Sequence, residues 1–358
     1  MKKIICLIDS LVSGGAQRQL VGLACLLKSK GFNVSVMTYH NIPFYVGQLK
    51  ESNVPYMVVV KASNPKLRFY YMAKALKKSN PDIVIAYLDV PCIVAVISKL
   101  VGCRYKLVVS ERNTTQKLGI MERIKFFLYK YADTIIPNSY SQAAFIREHY
   151  PKLALKTHTI TNFVDTSLFR PSIQQCNDNV LKILSVGRVS EQKNILCYIE
   201  AINIVRLKGV NVQVKWYGDK FKEYYEQCIN KIQEYQLGDI FIFYDASPNI
   251  ASVYNEADVF CLPSIYEGFP NVICEAMSCG LPILCSNVCD NPNLVKEDSN
   301  GLLFNPLSAD DIASSILKFN ELDLSARYRM AKESRLFAIN NFSSDSFVQK
   351  YIDIINSI

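Results

Sequence analysis

The sequence predicts an α/β protein of two domains, each built on a parallel sheet with helices on both faces. Short, almost continuous apolar runs alternate with helix-like segments along the chain, which is typical of parallel strands buried on both sides. The alternation stops in one polar stretch and then begins again. A length of 358 residues also suits two cores better than one. Each half is therefore expected to form a Rossmann-like domain.

The predicted strands form two series, one on each side of the polar stretch. The first series covers residues 4–8, 34–38, 56–60, 83–87, 107–110, 134–137 and 158–161. The second covers residues 181–186, 212–216, 240–243, 259–262 and 282–285. The polar stretch, residues 162–179, contains Pro171 and lacks periodicity, as expected of a linker. We therefore place the first domain at residues 1–165 and the second at residues 175–342.

Charge is distributed unevenly between the two halves. Residues 1–170 contain 24 Lys and Arg against 9 Asp and Glu, a balance of +15. Residues 171–358 contain 16 against 23, a balance of −7. A basic first domain suggests a polyanionic partner, for which anionic lipid, a phosphorylated acceptor and nucleic acid are all open.

The composition argues against membrane-spanning, secreted and metal-binding classes. The longest apolar stretch, residues 92–101, includes Ser98 and Lys99 and is too short to span a bilayer. The chain enters a strand-like run at once, without a signal peptide, so it is expected in the cytoplasm. Its 12 cysteines include no CxxC pair, which favours reduced, core-packed thiols over a metal site.

A glycine pair follows the first predicted strand. Gly14, Gly15 and Ala16 would let the backbone approach a ligand closely at a helix N-terminus, although a plain tight turn is equally open. The turn is not GxGxxG, and the second strand ends without an acid for a ribose. Both features argue against a dinucleotide-dependent oxidoreductase.

Two further strand ends carry charged residues. Gly187, Arg188 and Lys193 follow the first strand of the second domain. An arginine and a lysine five positions apart could neutralise a leaving diphosphate, or could be two solvated residues at a helix start. Glu111 and Arg112 follow a strand of the first domain, where a binding-site acid and a local salt bridge are both open.

The most informative segment is residues 263–282. Glu267 lies in a loop after a predicted strand, and Glu275 lies in the helix that Pro270 and Asn271 begin. The loop would direct backbone N–H groups at an anion above the helix N-terminus, which is a natural seat for a diphosphate. The two carboxylates can accept hydrogen bonds from sugar hydroxyls on either side of it. The arrangement suits a nucleotide-sugar.

This segment closely resembles the donor-site motif of retaining glycosyltransferases with the GT-B fold, especially family 4, which reads E-G-F-P-N, two hydrophobic residues, x, E-A-M-x-x-G-x-P. The turn at residues 14–18 resembles the family's G-G-A-[EQ]-R, and residues 187–194 resemble its G-R-x(4)-K-N. The resemblance implies two Rossmann-like domains facing a cleft, with a final helix, about residues 343–358, that returns to the first domain. It implies a cytoplasmic enzyme that uses a UDP-sugar and needs no metal or other cofactor.

The resemblance also implies roles for individual residues. Glu267 would contact the donor sugar near the reaction centre, and Glu275 would bind the ribose. Glu111 lies roughly where related enzymes carry a histidine or an acid facing the donor sugar, so it is a second catalytic candidate. The predicted diphosphate and loop contacts are Gly14, Gly15, Ala16, Gly187, Arg188, Lys193, Gly268, Phe269, Pro270, Asn271 and Val272.

The expected acceptor is a saccharide on a lipid carrier, such as undecaprenyl diphosphate, in bacterial O-antigen, capsule or lipopolysaccharide synthesis. Two basic, aromatic stretches, residues 68–78 and 117–131, could then lie on the anionic inner face of the membrane. The second stretch contains Lys117, Arg123, Lys125 and Lys130 as a predicted basic surface. The alternative is a pair of sheet-covering helices with solvated basic faces.

Three other functions are compatible with parts of the pattern. A nucleotide-sugar epimerase of the same fold would release free sugar nucleotide without an acceptor. A non-catalytic binding subunit would keep the fold, but the intact acidic and basic motif residues argue against it. A nucleic-acid binder is suggested by the basic half alone, and no recognition motif supports it.

Overall fold

The computed structural model describes residues 2–112, 115, 118–172, 180–247 and 249–358. The chain divides into two compact units. One extends to Phe163 and includes Ser344–Ile358, and the other is Val164–Ser343. The final helix therefore belongs to the first unit. Of the predicted linker, residues 173–179 lie outside the described residues, as does Lys117.

The first unit is built on a six-stranded parallel sheet. Its strand order is β3-β2-β1-β4-β5-β6. Strands β2 and β3 therefore lie on one side of β1, and β4, β5 and β6 lie on the other, so the strand order reverses between β1 and β4. The strands are β1 Lys3–Leu7, β2 Asn33–Thr38, β3 Tyr56–Val58, β4 Ile83–Tyr87, β5 Lys106–Glu111 and β6 Thr134–Pro137.

Helices cover both faces of this sheet. The helices of the first unit are α1 Gly15–Ser29, α2 Val46–Glu51, α3 Arg68–Ser79, α4 Asp89–Leu100, α5 Ile120–Leu128, α6 Tyr140–His149 and, at the end of the chain, α14 Ser344–Ser357. On one face α1 and α14 share a core with β1, β2 and β4, while α3, α4 and α5 share the core on the other face. The α14 helix buries Phe347, Val348, Tyr351 and Ile355, an apolar stripe at helical spacing.

The second unit repeats the architecture. Its sheet is also parallel, with the order β12-β11-β10-β7-β8-β9 and a reversal between β7 and β10. The strands are β7 Leu181–Val186, β8 Val212–Tyr217, β9 Phe241–Tyr244, β10 Val259–Leu262, β11 Ile283–Ser286 and β12 Gly301–Phe304. The helices are α7 Ile195–Leu207, α8 Lys222–Glu234, α9 Ile250–Tyr254, α10 Asn271–Ser278, α11 Asn291–Leu294, α12 Ala309–Glu321 and α13 Leu324–Phe342. The predicted pair of Rossmann-like folds is confirmed.

Two strand predictions were wrong. Residues 158–161 do not form a seventh strand, because His158 and Ile160 donate backbone hydrogen bonds to β6 without extending the ladder. The second error is the omission of β12. This strand begins at Gly301, where a Cβ atom would lie 2.0 Å from the carbonyl oxygen of Ile283, so the close pairing with β11 requires glycine.

Within the described residues, no helix is both long enough and apolar enough to cross a bilayer.

Candidate active site

The carboxyl edge of the second unit's sheet brings together two of the predicted motifs. The reversal point between β7 and β10 is where ligands bind in open parallel sheets. The loop after β7 carries Gly187 and Arg188 and continues to Lys193. The loop after β10 carries Glu267 and leads into α10. The sequence spacing alone does not place these loops side by side; the strand order does.

Glu267 and Lys193 form an ion pair between these loops. The Lys193 Nζ lies 2.5 Å from Glu267 Oε1, and the two side chains are 11% and 9% exposed. The Ser264 hydroxyl donates to the same carboxylate oxygen over 2.5 Å, and the Glu267 backbone N–H donates to the Cys289 sulfur over 3.4 Å. Glu267 is thus held from its side chain and its backbone, so its carboxylate has a fixed orientation.

Close backbone packing supports the loop after β7. The Trp216 indole donates to the Gly187 carbonyl over 2.8 Å. At Gly218, whose φ is +155°, a Cβ atom would lie 2.1 Å from that same carbonyl. At Gly187 a Cβ would lie 3.0 Å from Lys193 Cε. Glycine at both positions therefore allows the loop to pack against the lysine and its neighbouring strand.

Arg188 differs from Lys193 in its surroundings. Its side chain is exposed, and within the described part of the chain it makes no hydrogen bond or ion pair. A guanidinium in this state can bind an incoming anion without first breaking a protein contact.

The start of α10 orders the rest of the motif. Phe269 is buried in the core, with its ring centroid 6.1 Å from that of Phe342, so it anchors the loop rather than facing solvent. The backbone N–H groups of Asn271 and Ile273 already donate within the turn, to the carbonyls of Phe269 and Pro270.

Among the described residues of this loop, three other N–H groups remain without an acceptor. They belong to Gly268 and Val272, both of which are half-buried, and to the buried Phe269. Gly268 and Val272 are the natural candidates to meet an anion at the start of the helix, because they are the more exposed of the three.

Glu275 lies one turn further into α10 and is 5% exposed. The Tyr254 hydroxyl donates to Glu275 Oε2 over 3.0 Å and lies 3.3 Å from the Val272 carbonyl. The tyrosine therefore fixes the orientation of the second carboxylate of the motif.

In the first unit, the predicted glycine turn also lies at the reversal point of its sheet. Gly14 is extended, with φ −162° and ψ 158°, and directly precedes α1. A Cβ at Gly14 would lie 2.4 Å from the Gln17 side-chain oxygen. Gln17 is itself held by Asp9, at 3.3 Å. Gly15 is exposed and Ala16 is half-buried at the helix start.

Glu111 adopts the local ion pair that the sequence left open. It is fully buried at the end of β5, where Lys125 Nζ donates to Oε2 over 2.7 Å and the Tyr129 hydroxyl donates to Oε1. Lys125 also lies 3.1 Å from Asp89. Burial raises the pKa of the Glu111 carboxyl, and the charge of Lys125 opposes that rise. Lys125 is thus a buried ion-pair partner, and its predicted place on a basic surface was wrong.

Arg112 lies next to Glu111 but contacts other partners. Its guanidinium donates to Asn162 over 2.7 Å and to the Tyr351 hydroxyl of α14 over 2.9 Å. It also stacks on the Tyr87 ring at 3.8 Å. Arg112 therefore helps to hold the final helix on the first unit, and its neighbour Asn113 lies outside the described residues.

Two family models match the chain, one for each unit. The model described as Glycosyltransferase Family 4 matches residues 13–168. The model described as Glycosyl transferases group 1 matches residues 170–337.

The chain belongs to the GT-B glycosyltransferases of the group 1 and family 4 type.

Similar proteins include bacterial glycosyltransferases that are named for a glycan or a polysaccharide. A GalNAc-alpha-(1->4)-GalNAc-alpha-(1->3)-diNAcBac-PP-undecaprenol alpha-1,4-N-acetyl-D-galactosaminyltransferase of Campylobacter jejuni is 27% identical, with 85% of this chain and 84% of the relative aligned. The amylovoran biosynthesis glycosyltransferase AmsD of Erwinia amylovora is 22% identical over 83% and 85% of the two chains. Among solved structures, Anabaena Alr3699/HepE in complex with UDP superposes with a TM-score of 0.87 at 21% identity, covering 99% and 100% of the chains.

Several contacts of this glycosyltransferase were not predicted from the sequence. Ser264, Cys289, Tyr254 and Trp216 each hold a predicted motif residue in place. Ser264 lies three residues before Glu267 and could have been found from the strand–loop pattern. The other three are distant in sequence from their partners and carry no local signal.

Groups of three or more His, Cys, Asp or Glu side chains placed to hold a metal ion do not occur among the residues that the structure describes.

Proposed function

We propose that this glycosyltransferase moves a hexosyl group from a UDP-sugar to a lipid-linked saccharide, with retention of the anomeric configuration. The observation that carries the proposal is the Lys193–Glu267 pair at the reversal point of the second sheet, together with Arg188 in the same loop as Lys193. This edge combines cations for a diphosphate with an oriented carboxylate for a sugar. An α-configured donor would then give an α-linked product.

The cationic groups would act on the leaving group. As the glycosidic bond breaks, negative charge grows on the diphosphate, and preformed positive groups stabilise that charge. Arg188 would bind phosphate oxygens in a bidentate manner. Lys193 uses one of its three N–H donors for Glu267 and would direct another at the diphosphate. The N–H groups of Gly268 and Val272 would complete the cradle.

The two carboxylates would divide the donor between them. Glu267, oriented by Ser264 and Lys193, would accept hydrogen bonds from the donor sugar and follow the charge that develops at the reacting carbon. Glu275, oriented by Tyr254, would bind the ribose hydroxyls. Glu111 would stabilise the first unit instead of contacting the sugar, because its carboxylate is already buried in its own ion pair.

The acceptor assignment rests on charge and on the similar proteins. The first unit carries most of the +15 balance of residues 1–170, which suits a diphosphate-linked acceptor at an anionic membrane surface. The C. jejuni relative is named for an undecaprenol-diphosphate-linked glycan. We therefore place the enzyme on the inner face of the cell membrane, in the synthesis of a surface polysaccharide.

A donor and acceptor screen tests the proposed reaction. Purified enzyme is incubated with a panel of nucleotide-sugars and with undecaprenyl-diphosphate saccharides, and both nucleotide release and acceptor glycosylation are measured. We expect nucleotide release to depend on acceptor and one α-linked product to dominate. Free sugar nucleotide isomerised without acceptor, or a β-linked product from an α-donor, would contradict the proposal.

Substituting the cations is expected to weaken donor binding. Arg188→Ala and Lys193→Ala should each cost about 1.5–3 kcal/mol of UDP affinity, because each removes a charged hydrogen bond to phosphate. Calorimetric titration with UDP measures the effect. Lys208→Ala serves as a control, because Lys208 is an exposed lysine at the other end of α7. Unchanged affinity in both site variants would remove the diphosphate role.

Transfer is expected to proceed in EDTA. Since Arg188, Lys193 and the backbone N–H groups of the α10 loop would carry the leaving charge, a divalent cation has no required place in the proposed step. Turnover in EDTA should stay within about twofold of the untreated rate. A loss of turnover that Mg²⁺ or Mn²⁺ restores would contradict this assignment.

A further inference from the structure

The α5 helix of the first unit turns apolar side chains outward and a lysine inward. Ile120, Met121, Ile124 and Phe127 are 78%, 64%, 46% and 60% exposed, whereas Lys125 is 5% exposed. A helix that covers a sheet normally shows the reverse arrangement, with its apolar stripe on the core. A contiguous outward stripe of this kind marks an interaction surface.

The contacts of α5 fix it in this orientation. Lys125 is held by Glu111 and by Asp89, and Phe126 and Tyr129 are packed in the core. Rotating the helix to bury its outward stripe would break the ion pair and leave the Glu111 carboxylate unpaired in the interior. The exposed stripe is therefore a stable feature of the unit.

Basic side chains lie along the same outward surface. Arg123 and Lys130 are exposed, and Lys130 Nζ lies 3.8 Å from the centroid of the Phe127 ring. The α3 helix packs on the same face of the sheet as α5, and it exposes Tyr70 together with Lys74, Lys77 and Lys78. Outward apolar and aromatic groups flanked by lysine and arginine are typical of helices that lie in a membrane interface.

We infer that α5 is a membrane-docking helix whose outward stripe enters the boundary between headgroups and acyl chains of an anionic bilayer. Arg123 and Lys130 would contact lipid phosphates beside it. Charge favours this occupant over a second copy of the chain, because residues 1–170, which carry a balance of +15, would repel their counterpart in a face-to-face dimer. The inference rests on the proposed lipid-linked acceptor and adds the surface by which the enzyme reaches it.

A single tryptophan placed on the stripe tests insertion directly. The chain has one natural tryptophan, Trp216, which is fully buried in the second unit. In full-length Phe127→Trp protein, vesicles of phosphatidylglycerol with brominated acyl chains should quench the added fluorescence and shift it to shorter wavelength. Leu207→Trp is the matched control, because Leu207 is 70% exposed on the second unit, and its fluorescence should not change.

Two pairs of substitutions then separate the apolar contribution from the electrostatic one. Arg123→Glu with Lys130→Glu should lower binding to phosphatidylglycerol vesicles at low salt, on the order of fivefold or more for each basic side chain replaced. The difference from the unaltered protein should vanish at high salt, because salt screens the charges. Met121→Ser with Ile124→Ser should lower binding at least about tenfold at both salt concentrations. Leu207→Ser should bind like the unaltered protein.

Three results would overturn the inference. They are no quenching at position 127, equal binding to phosphatidylglycerol and phosphatidylcholine, and a dimer in solution that Met121→Ser with Ile124→Ser converts to monomer. Vesicle binding is measured without donor or acceptor, and transfer to a water-soluble acceptor is measured separately. Vesicle binding without transfer would therefore count against the proposed function alone. Transfer without vesicle binding would count against the docking helix alone.

Discussion

Glu267→Gln is expected to lower kcat about a hundredfold or more while UDP affinity stays within a few fold. The substitution keeps the size of the side chain and its hydrogen bond from Ser264 but removes the charge that would face the reacting sugar. Such a contact becomes stronger as positive charge develops at the anomeric carbon, so its loss appears in kcat rather than in ground-state binding. The amide oxygen can also accept from Lys193, whose other N–H donors remain for the diphosphate, so UDP affinity should not fall.

Two other substitutions at the same site provide the comparison. Ser264→Ala removes one hydrogen bond that orients the carboxylate of Glu267. It should raise the activation free energy of transfer by about 1 kcal/mol. Glu275→Gln should instead weaken UDP binding, because Glu275 would hold the ribose. The measurements are steady-state kinetics and calorimetric titration with UDP for all three variants. A Glu267→Gln enzyme with normal kcat and weak UDP binding, beside a Glu275→Gln enzyme with the opposite pattern, would exchange the two assignments.

The fold could be predicted largely because parallel strands buried on both faces leave a strong apolar signal. The two strand errors arose where that signal does not decide the structure. Residues 158–161 read His-Thr-Ile-Thr and lie beside β6, but too few of their backbone groups pair with it to form a strand. The missed strand β12 begins with a glycine, which argues against a strand in sequence, although the close approach of β11 requires glycine there.

The candidate site could be predicted where one continuous motif contains it. Glu267 and Glu275 belong to one loop and helix, and their neighbours fix their local geometry. The pairing of Lys193 with Glu267 spans 74 residues and follows from the strand order instead. For Glu111 the sequence pattern indicates only an acid at a strand end and does not identify its partners. Lys125 and Tyr129, which bury and neutralise it, lie on the following helical segments.

The ion pair between Glu111 and Lys125 sets the stability of the first unit near β5 and α5. Lys125→Met is expected to cost about 3–5 kcal/mol, because it leaves the Glu111 carboxylate buried without its cation. Amide hydrogen exchange in β5 and α5 measures the local free energy of opening. Lys106→Met is the matched control, since Lys106 is 54% exposed and its partner Asp133 keeps a second ion pair with Lys99. This substitution should cost at most about 1 kcal/mol.

Neutralising both members of the pair separates a structural role from a catalytic one. In Glu111→Gln with Lys125→Met, the amide oxygen still accepts from the Tyr129 hydroxyl, and no unpaired charge remains buried. Most of the lost stability should therefore return, as is common when a buried ion pair is replaced as a unit. If Glu111 is structural, this double variant also recovers near-normal kcat for transfer. A protein that regains its stability but transfers sugar a hundredfold more slowly would return Glu111 to the list of groups that act on the donor, and Lys125 would then be the residue that orients it.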